Sequence, residues 1–109
     1  MPTLYLVSTP IGNKLDISLR AQNVLSSVDF ILCEDTKKSG IFLKDLGIKN
    51  KLLSYHDHSN DSKINYFLKL LKEGASLAII SDAGTPLISD PGYELVAKAI
   101  DEKIKVTSI

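Results

Sequence analysis

The chain has 109 residues, which is enough for one domain and too few for two ordinary hydrophobic cores. Hydrophobic residues make up 44% and charged residues 24%, as in soluble globular domains, and no apolar run approaches the roughly 20 residues of a membrane span. Thirteen basic and thirteen acidic residues give zero net charge, which excludes a strong overall attraction for nucleic acid.

Short apolar runs alternate with segments of helical periodicity along the chain. The runs predict five strands, at residues 4–7, 30–33, 52–55, 77–80 and 105–109. The segments between them predict four helices, whose apolar positions are Ile17, Ala21, Val24, Leu25 and Val28; Ile41, Phe42, Leu43 and Leu46; Ile64, Phe67, Leu68 and Leu71; and Leu95, Val96, Ala99 and Ile100 on an inner face. This alternation predicts an α/β fold with three layers, in which right-handed crossovers connect a mostly parallel five-stranded sheet covered by helices on both faces.

Local signals predict where several helices begin and end. Asp16 is placed to cap the first helix, and Asp90 to cap the fourth with Pro91 at its first position. Gly47 and Gly74 follow the second and third helical patterns, where glycine commonly ends a helix.

The two ends of the sequence and its one cysteine indicate where the protein is located and whether the chain is part of a longer one. Met1 leads directly into a strand pattern, so we expect no signal peptide. Cys33 lies inside an apolar run, which predicts a buried, reduced thiol and a cytoplasmic protein. Because the sequence ends within a predicted strand, we expect the chain to be the N-terminal part of a longer protein.

Polar residues gather after the predicted strands. In a parallel sheet the strand-to-helix loops lie at one edge, where open α/β sheets bind ligands. These loops are residues 8–13, 34–36, 55–58 and 81–91, and they contain both histidines. The first loop has neither the glycine spacing of a dinucleotide fold nor that of a P-loop, so a nicotinamide cofactor or a nucleoside triphosphate is disfavoured.

The second and third loops carry the titratable candidates. Glu34 could accept hydrogen bonds from ribose hydroxyls, whereas Asp35 or Thr36 could equally be a helix N-cap. His56 could move a proton near neutral pH. The His56-x-His58 spacing could hold a metal only if further ligands converged, and we expect no metal site.

Five lysines between residues 37 and 51 form a local basic segment. Either a solvated helix face followed by a turn or a patch for RNA accounts for them.

Four segments together resemble a known family. LYLVSTPIGN at 4–13, EDT at 34–36, LSYHDH at 53–58 and SDAGTPLISDPGY at 81–93 resemble, in that order, bacterial methyltransferases that modify the 2′-oxygen of a cytidine in 16S ribosomal RNA. Those enzymes belong to the tetrapyrrole methylase superfamily, and the resemblance extends from residue 3 to residue 109.

The resemblance implies a longer two-domain protein, of which residues 1–109 are the N-terminal α/β domain and the C-terminal domain is absent. It implies that S-adenosylmethionine binds between the domains. The cofactor-binding residues it indicates are Pro10, Gly12, Asp82, Ala83, Gly84, Thr85 and Ser89. One position departs from the family, which has Gly-Asn-Leu-Gly-Asp where this chain has Gly12-Asn13-Lys14-Leu15-Asp16.

The reaction implied is S-adenosylmethionine-dependent methylation of a ribose 2′-oxygen in small-subunit ribosomal RNA. The candidate catalytic bases are Glu34, Asp35 and His56, with Asp82 a further possibility.

The implied partners are small-subunit ribosomal RNA, the missing domain and a second copy in a homodimer, with no membrane. These 109 residues alone are expected to turn nothing over. Two alternatives remain open: a corrin or porphyrin-precursor methylase, and a non-catalytic ligand-binding or dimerising module.

Overall fold

The computed structural model describes residues 2–9, 17–54, 61–82 and 92–109. Within these ranges the prediction of five strands and four helices in alternation is confirmed. The elements are β1 (Thr3–Thr9), α1 (Leu19–Ser27), β2 (Phe30–Cys33), α2 (Thr36–Asp45), β3 (Leu52–Ser54), α3 (Asp61–Lys72), β4 (Leu77–Asp82), α4 (Gly92–Asp101) and β5 (Lys105–Ser108).

The strands form one parallel sheet in the order β3-β2-β4-β1-β5. The centre of the sheet is the pair β1 and β4, in which Leu4 lies opposite Leu77 and Val7 opposite Ile80. The chain steps outward in one direction from β1 to β2 and β3, and then in the other direction to β4 and β5. Right-handed crossovers therefore place α1 and α2 on one face and α3 and α4 on the other.

The packing confirms the three layers. Alternate residues of each central strand point to opposite faces, so Leu77 and Ile79 pack with α3 and α4 while Ala78 and Ile80 pack with α1 and α2. Phe67 and Leu71 of α3 are buried in the first core, and Leu25 of α1 in the second. Both faces are covered, which explains why the strands read as continuous apolar runs.

Some sequence-based details were wrong. The N-cap of α1 is Ser18, whose side chain accepts a hydrogen bond from the Ala21 amide at 3.0 Å, and not Asp16. Ile100 was expected on the inner face of α4 but is 59% exposed, since Leu95 and Ala99 fill that contact. The predicted cap at Asp90 and Pro91 lies outside the described residues.

The two predicted glycine stops are confirmed. Gly47 and Gly74 follow α2 and α3 with φ of +74° and +103°, in the left-handed region where a side chain would be strained. Ile48 donates its amide back to the Leu43 carbonyl, and Ala75 to that of Leu70, which closes each helix end.

Asn50 fastens the C-terminal end of α1 to the segment before β3. Its Nδ2 donates to the carbonyls of Leu25 and Val28, at 2.9 and 2.8 Å. The last carbonyls of a helix lack intrahelical partners, so this side chain satisfies groups that would otherwise be left without one.

Replacing Asn50 by aspartate is expected to lower the free energy of unfolding by about 1–3 kcal/mol, because two donors become an acceptor facing two carbonyl oxygens. Urea denaturation of the wild type and the variant measures this. Asn23→Asp is the matched control, since Asn23 is an exposed residue of α1. Equal loss in both variants would contradict the role assigned to Asn50.

Candidate active site

The carboxyl ends of β1 and β4 lie side by side at the middle of the sheet. Ser8 is in register with Ser81, and Thr9 with Asp82. Both strands are longer than predicted, so Ser8, Thr9, Ser81 and Asp82 belong to strands and not to the loops that follow. The helices that follow these two strands cover opposite faces of the sheet, α1 after β1 and α4 after β4. Where the connections from neighbouring strands diverge in this way, an open α/β sheet has a crevice in which ligands bind.

A second feature of this edge is a cleft beside the ends of β2 and β3. It has a volume of about 420 Å³ and is lined by Glu34, Asp35, Thr36, Lys37 and Ser54. The Ser54 hydroxyl donates to the Glu34 carbonyl at 3.3 Å, which joins the two strand ends. The Glu34 side chain is exposed to solvent, so its carboxylate is accessible to a ligand in the cleft.

Asp35 is the N-cap of α2. Its Oδ1 accepts hydrogen bonds from the amides of Lys37 and Lys38, at 2.9 and 3.2 Å. Of the two caps that the sequence allowed, the structure selects Asp35 and not Thr36. This capping role explains the position of the carboxylate without any catalytic one, and leaves Glu34 as the carboxylate of the pair with no structural task among the described contacts.

Replacing Asp35 by alanine is expected to reduce the free energy of unfolding by about 1 kcal/mol, whereas Asp35→Ser should keep most of it because serine is also a good N-cap. Thermal denaturation checks the stability of both variants. If Asp35→Ser were as unstable as Asp35→Ala, the side chain would not act as a cap.

The activity of Asp35→Ser separates the cap from the predicted catalytic role. In the full-length protein, a variant that stays stable but loses the activity that the sequence resemblance implies would support Asp35 as a base; a stable and active one would remove it from the candidates.

Cys33 ends β2 as a buried thiol, as the sequence predicted. Burial, and to a smaller extent the charge of Asp35, raises the pKa of this thiol, and a hydrogen bond with Ser39 offsets part of the effect. The thiol therefore stays protonated at neutral pH and is a poor nucleophile.

Most of the other predicted site residues lie outside the described part of the chain: Pro10, Gly12, His56, Ala83, Gly84, Thr85 and Ser89. Asp82 is described only through its backbone, which places it at the centre of the edge. Among the residues that are described, no three His, Cys, Asp or Glu side chains come together as a metal site would require. None of the described helices is long and apolar enough to cross a bilayer.

Sequence reasoning missed Ser54 as a site residue. The apolar pattern predicts only that Ser54 lies within a strand, whereas the structure shows that it is the last residue of β3 and lines the cleft. A polar residue that ends an apolar run in a parallel sheet is the signal that could have found it.

Comparison with known proteins identifies the family to which the chain belongs. A family model described as tetrapyrrole (corrin/porphyrin) methylases matches residues 3–109. The chain therefore belongs to the tetrapyrrole methylase family, whose members transfer a methyl group and so require a methyl donor.

Individual relatives share a narrower name, ribosomal RNA small subunit methyltransferase I. The chain is 49% identical to the protein of that name from Mesorhizobium japonicum and 50% identical to that from Streptococcus pyogenes, over 99% and 98% of its length. It is 46% identical to the Haemophilus influenzae protein over 97% of its length. The chain spans 37%, 37% and 38% of these three relatives.

Solved structures of the family share the fold. The uroporphyrin-III C-methyltransferase of Thermus thermophilus superposes with a TM-score of 0.74 at 19% identity, covering 99% of this chain and 46% of that one. A cobalt precorrin-4 methyltransferase of cobalamin biosynthesis gives 0.77 at 16% identity, covering 98% and 44%. At such low identity these likenesses establish the architecture alone.

Proposed function

We propose that this chain is the N-terminal α/β domain of an enzyme that methylates a ribose 2′-oxygen of a cytidine in 16S ribosomal RNA, with S-adenosylmethionine as the methyl donor. The observation that carries the proposal is the identity of 49–50% over nearly the whole chain to relatives named ribosomal RNA small subunit methyltransferase I. The nature of the nucleotide and of the modified atom comes from the sequence resemblance.

The described residues fit a nucleoside-containing ligand. The crevice lies outside the carboxyl ends of β1 and β4, and the exposed carboxylate of Glu34 stands at the end of the next strand, β2. A carboxylate at such a strand end commonly accepts hydrogen bonds from ribose hydroxyls. By the sequence resemblance, Pro10, Gly12, Asp82, Ala83, Gly84, Thr85 and Ser89 would hold the cofactor.

S-adenosylmethionine, when bound, supplies an electrophilic methyl group, so the cofactor carries the difficult chemistry. The protein has two tasks: it must hold the 2′-oxygen in line with that methyl group, and it must accept the hydroxyl proton. Glu34 can take the proton, because its side chain is exposed in the cleft and has no structural task among the described contacts. His56, Asp35 and Asp82 remain the other proposed bases.

Methyl transfer from labelled S-adenosylmethionine by the full-length protein tests the proposal. Small-subunit RNA is expected to acquire the label on a ribose, while uroporphyrinogen and precorrin substrates stay unlabelled. Labelling of a tetrapyrrole and not of RNA would establish the rival methylase. Binding of the cofactor without methyl transfer to either RNA or a tetrapyrrole would support the alternative that the protein is a non-catalytic ligand-binding module.

The cellular location and the assembly of the protein are proposed together with this function. A cytoplasmic location, a second domain that completes the cofactor site, and a homodimer are consistent with this function and are proposed with it. Because net charge is zero, much of the affinity for RNA is expected to come from outside these residues or from a localised part of their surface.

A further inference from the structure

The charge of the chain is unevenly distributed. Residues 36–51 contain five lysines and one aspartate, a net charge of +4, so the remaining residues carry −4 and the two sum to the zero of the whole chain. The lysines are Lys37, Lys38, Lys44, Lys49 and Lys51, all exposed, and we call them the basic surface.

The fold places the basic surface on α2 and the turn leading to the edge strand β3. Lys37, Ile41 and Lys44 lie within about 60° of one another around the axis of α2, and Ile41, which is 65% exposed, lies between the two lysines along the helix. Lys44 and Lys49 line a groove of about 430 Å³ between α2 and β3. The surface runs along the roughly 15 Å length of the helix.

One end of this surface is the proposed active site. Lys37 lines the cleft together with Glu34, Lys44 lies further along α2, and Lys49 lies in the turn that follows the helix. A polyanion bound along the lysines would therefore lead directly to the exposed carboxylate at the end of β2.

Two lysines of the opposite layer are held in ion pairs. Lys72 pairs with Glu102, and Lys98 with Glu94 at 3.4 Å, so these charges are compensated locally. No lysine of the basic surface has an ion pair among the residues the structure describes; Lys51 instead lies 5.7 Å from the centre of the Phe30 ring. Within the described part of the chain, ion pairs therefore do not neutralise the positive charge of the basic surface.

We infer that the basic surface binds the phosphate backbone of the substrate RNA and guides it into the cleft at Glu34. This inference rests on the proposed function. A second copy of the chain fits poorly, because a symmetric pairing would bring the same +4 surface against itself. A protein partner also fits poorly, because lysine is depleted from protein interfaces.

The test compares two triple variants of the full-length protein that remove equal charge. The first is Lys44→Gln, Lys49→Gln and Lys51→Gln, which leaves Lys37 in the cleft untouched. The control is Lys69→Gln, Lys103→Gln and Lys105→Gln, which are exposed residues of α3 and of the segment around β5. Binding to small-subunit ribosomal RNA is measured over a range of salt concentrations.

The first triple is expected to bind RNA about 10- to 100-fold more weakly near 0.1 M salt, and its plot of log K against log salt should be shallower by about 2–3, because each lost phosphate contact removes about 0.7–0.9 from the slope. Its KM for RNA should rise while its KM for S-adenosylmethionine and its melting temperature stay near the wild type. The control triple should change the affinity less than threefold.

Three results would overturn the inference: equal effects of the two triples, a weaker affinity with an unchanged salt slope, or unchanged RNA binding with an altered oligomeric state. A failure of the proposed function can be told apart from a failure of this inference. If the wild type bound RNA through these lysines but methylated none of it, RNA binding by the basic surface would be supported and the proposed function would be wrong. If the wild type methylated RNA and the first triple kept the wild-type KM for RNA, the proposed function would be supported and the inference would be wrong.

Discussion

Replacing Glu34 by glutamine in the full-length protein is expected to lower kcat for methylation of small-subunit RNA by about 100-fold or more, as loss of a positioned general base does. The amide keeps the size of the side chain but cannot accept a proton. Because the side chain is exposed, the melting temperature and the affinity for S-adenosylmethionine should change little. Single-turnover methylation with labelled cofactor measures the rate.

Glu73→Gln is the matched control for this experiment. Glu73 is an exposed glutamate just after α3, at the opposite edge of the sheet, and the same change there should leave kcat within twofold. A Glu34→Gln enzyme with a nearly normal rate would remove Glu34 as the base and leave His56, Asp35 and Asp82. A lower affinity for cofactor at normal kcat would instead assign Glu34 to ligand binding.

Replacing Ile79 by alanine is expected to lower the free energy of unfolding by about 2–5 kcal/mol, a large part of the stability of a small domain. Ile79 is fully buried in β4, between β1 and β2, and packs in the core formed with α3 and α4. The truncation removes buried apolar surface and leaves a cavity in the strand that ends at Asp82. Urea denaturation at constant m-value measures the loss.

Ile41→Ala is the control for Ile79→Ala, because it deletes the same atoms from a side chain that is 65% exposed on α2. Its effect should lie within about 0.5 kcal/mol of zero, since alanine also favours a helix. Similar losses at both positions would show that Ile79 is not in a tightly packed core.

The architecture could be predicted because its signals are local. Buried parallel strands are continuous apolar runs, and glycines such as Gly47 and Gly74 end helices through their own backbone freedom. The sequence determines less about which residue caps a helix: Asp and Ser are both good caps, and the structure shows that Ser18 caps α1. The exposure of Ile100 likewise depends on the position of α4 against the sheet and not on its spacing.

The candidate site was predicted in part. Grouping the ends of parallel strands at one edge correctly brought Glu34 and Asp35 near the end of β3. It could not show that β1 and β4 are neighbours, because hydrophobic periodicity contains no information on strand order, and so the register of Thr9 with Asp82 was not foreseen. Nor could it choose between Asp35 and Thr36 as the cap of α2, since that choice depends on the three-dimensional start of the helix, where the Lys37 and Lys38 amides donate to Asp35.

The order of the strands in the sheet also limits the order in which they can pair during synthesis. β1 is synthesised before the other four strands described, yet its two partners are β4 and β5: Leu4 pairs with Leu77, and Thr3 with Lys105. Parallel pairing over such distances in sequence closes slowly. During synthesis β1 therefore cannot pair with either partner until β4 has emerged from the exit tunnel, whereas β2 and β3 can already associate through the short α2 crossover.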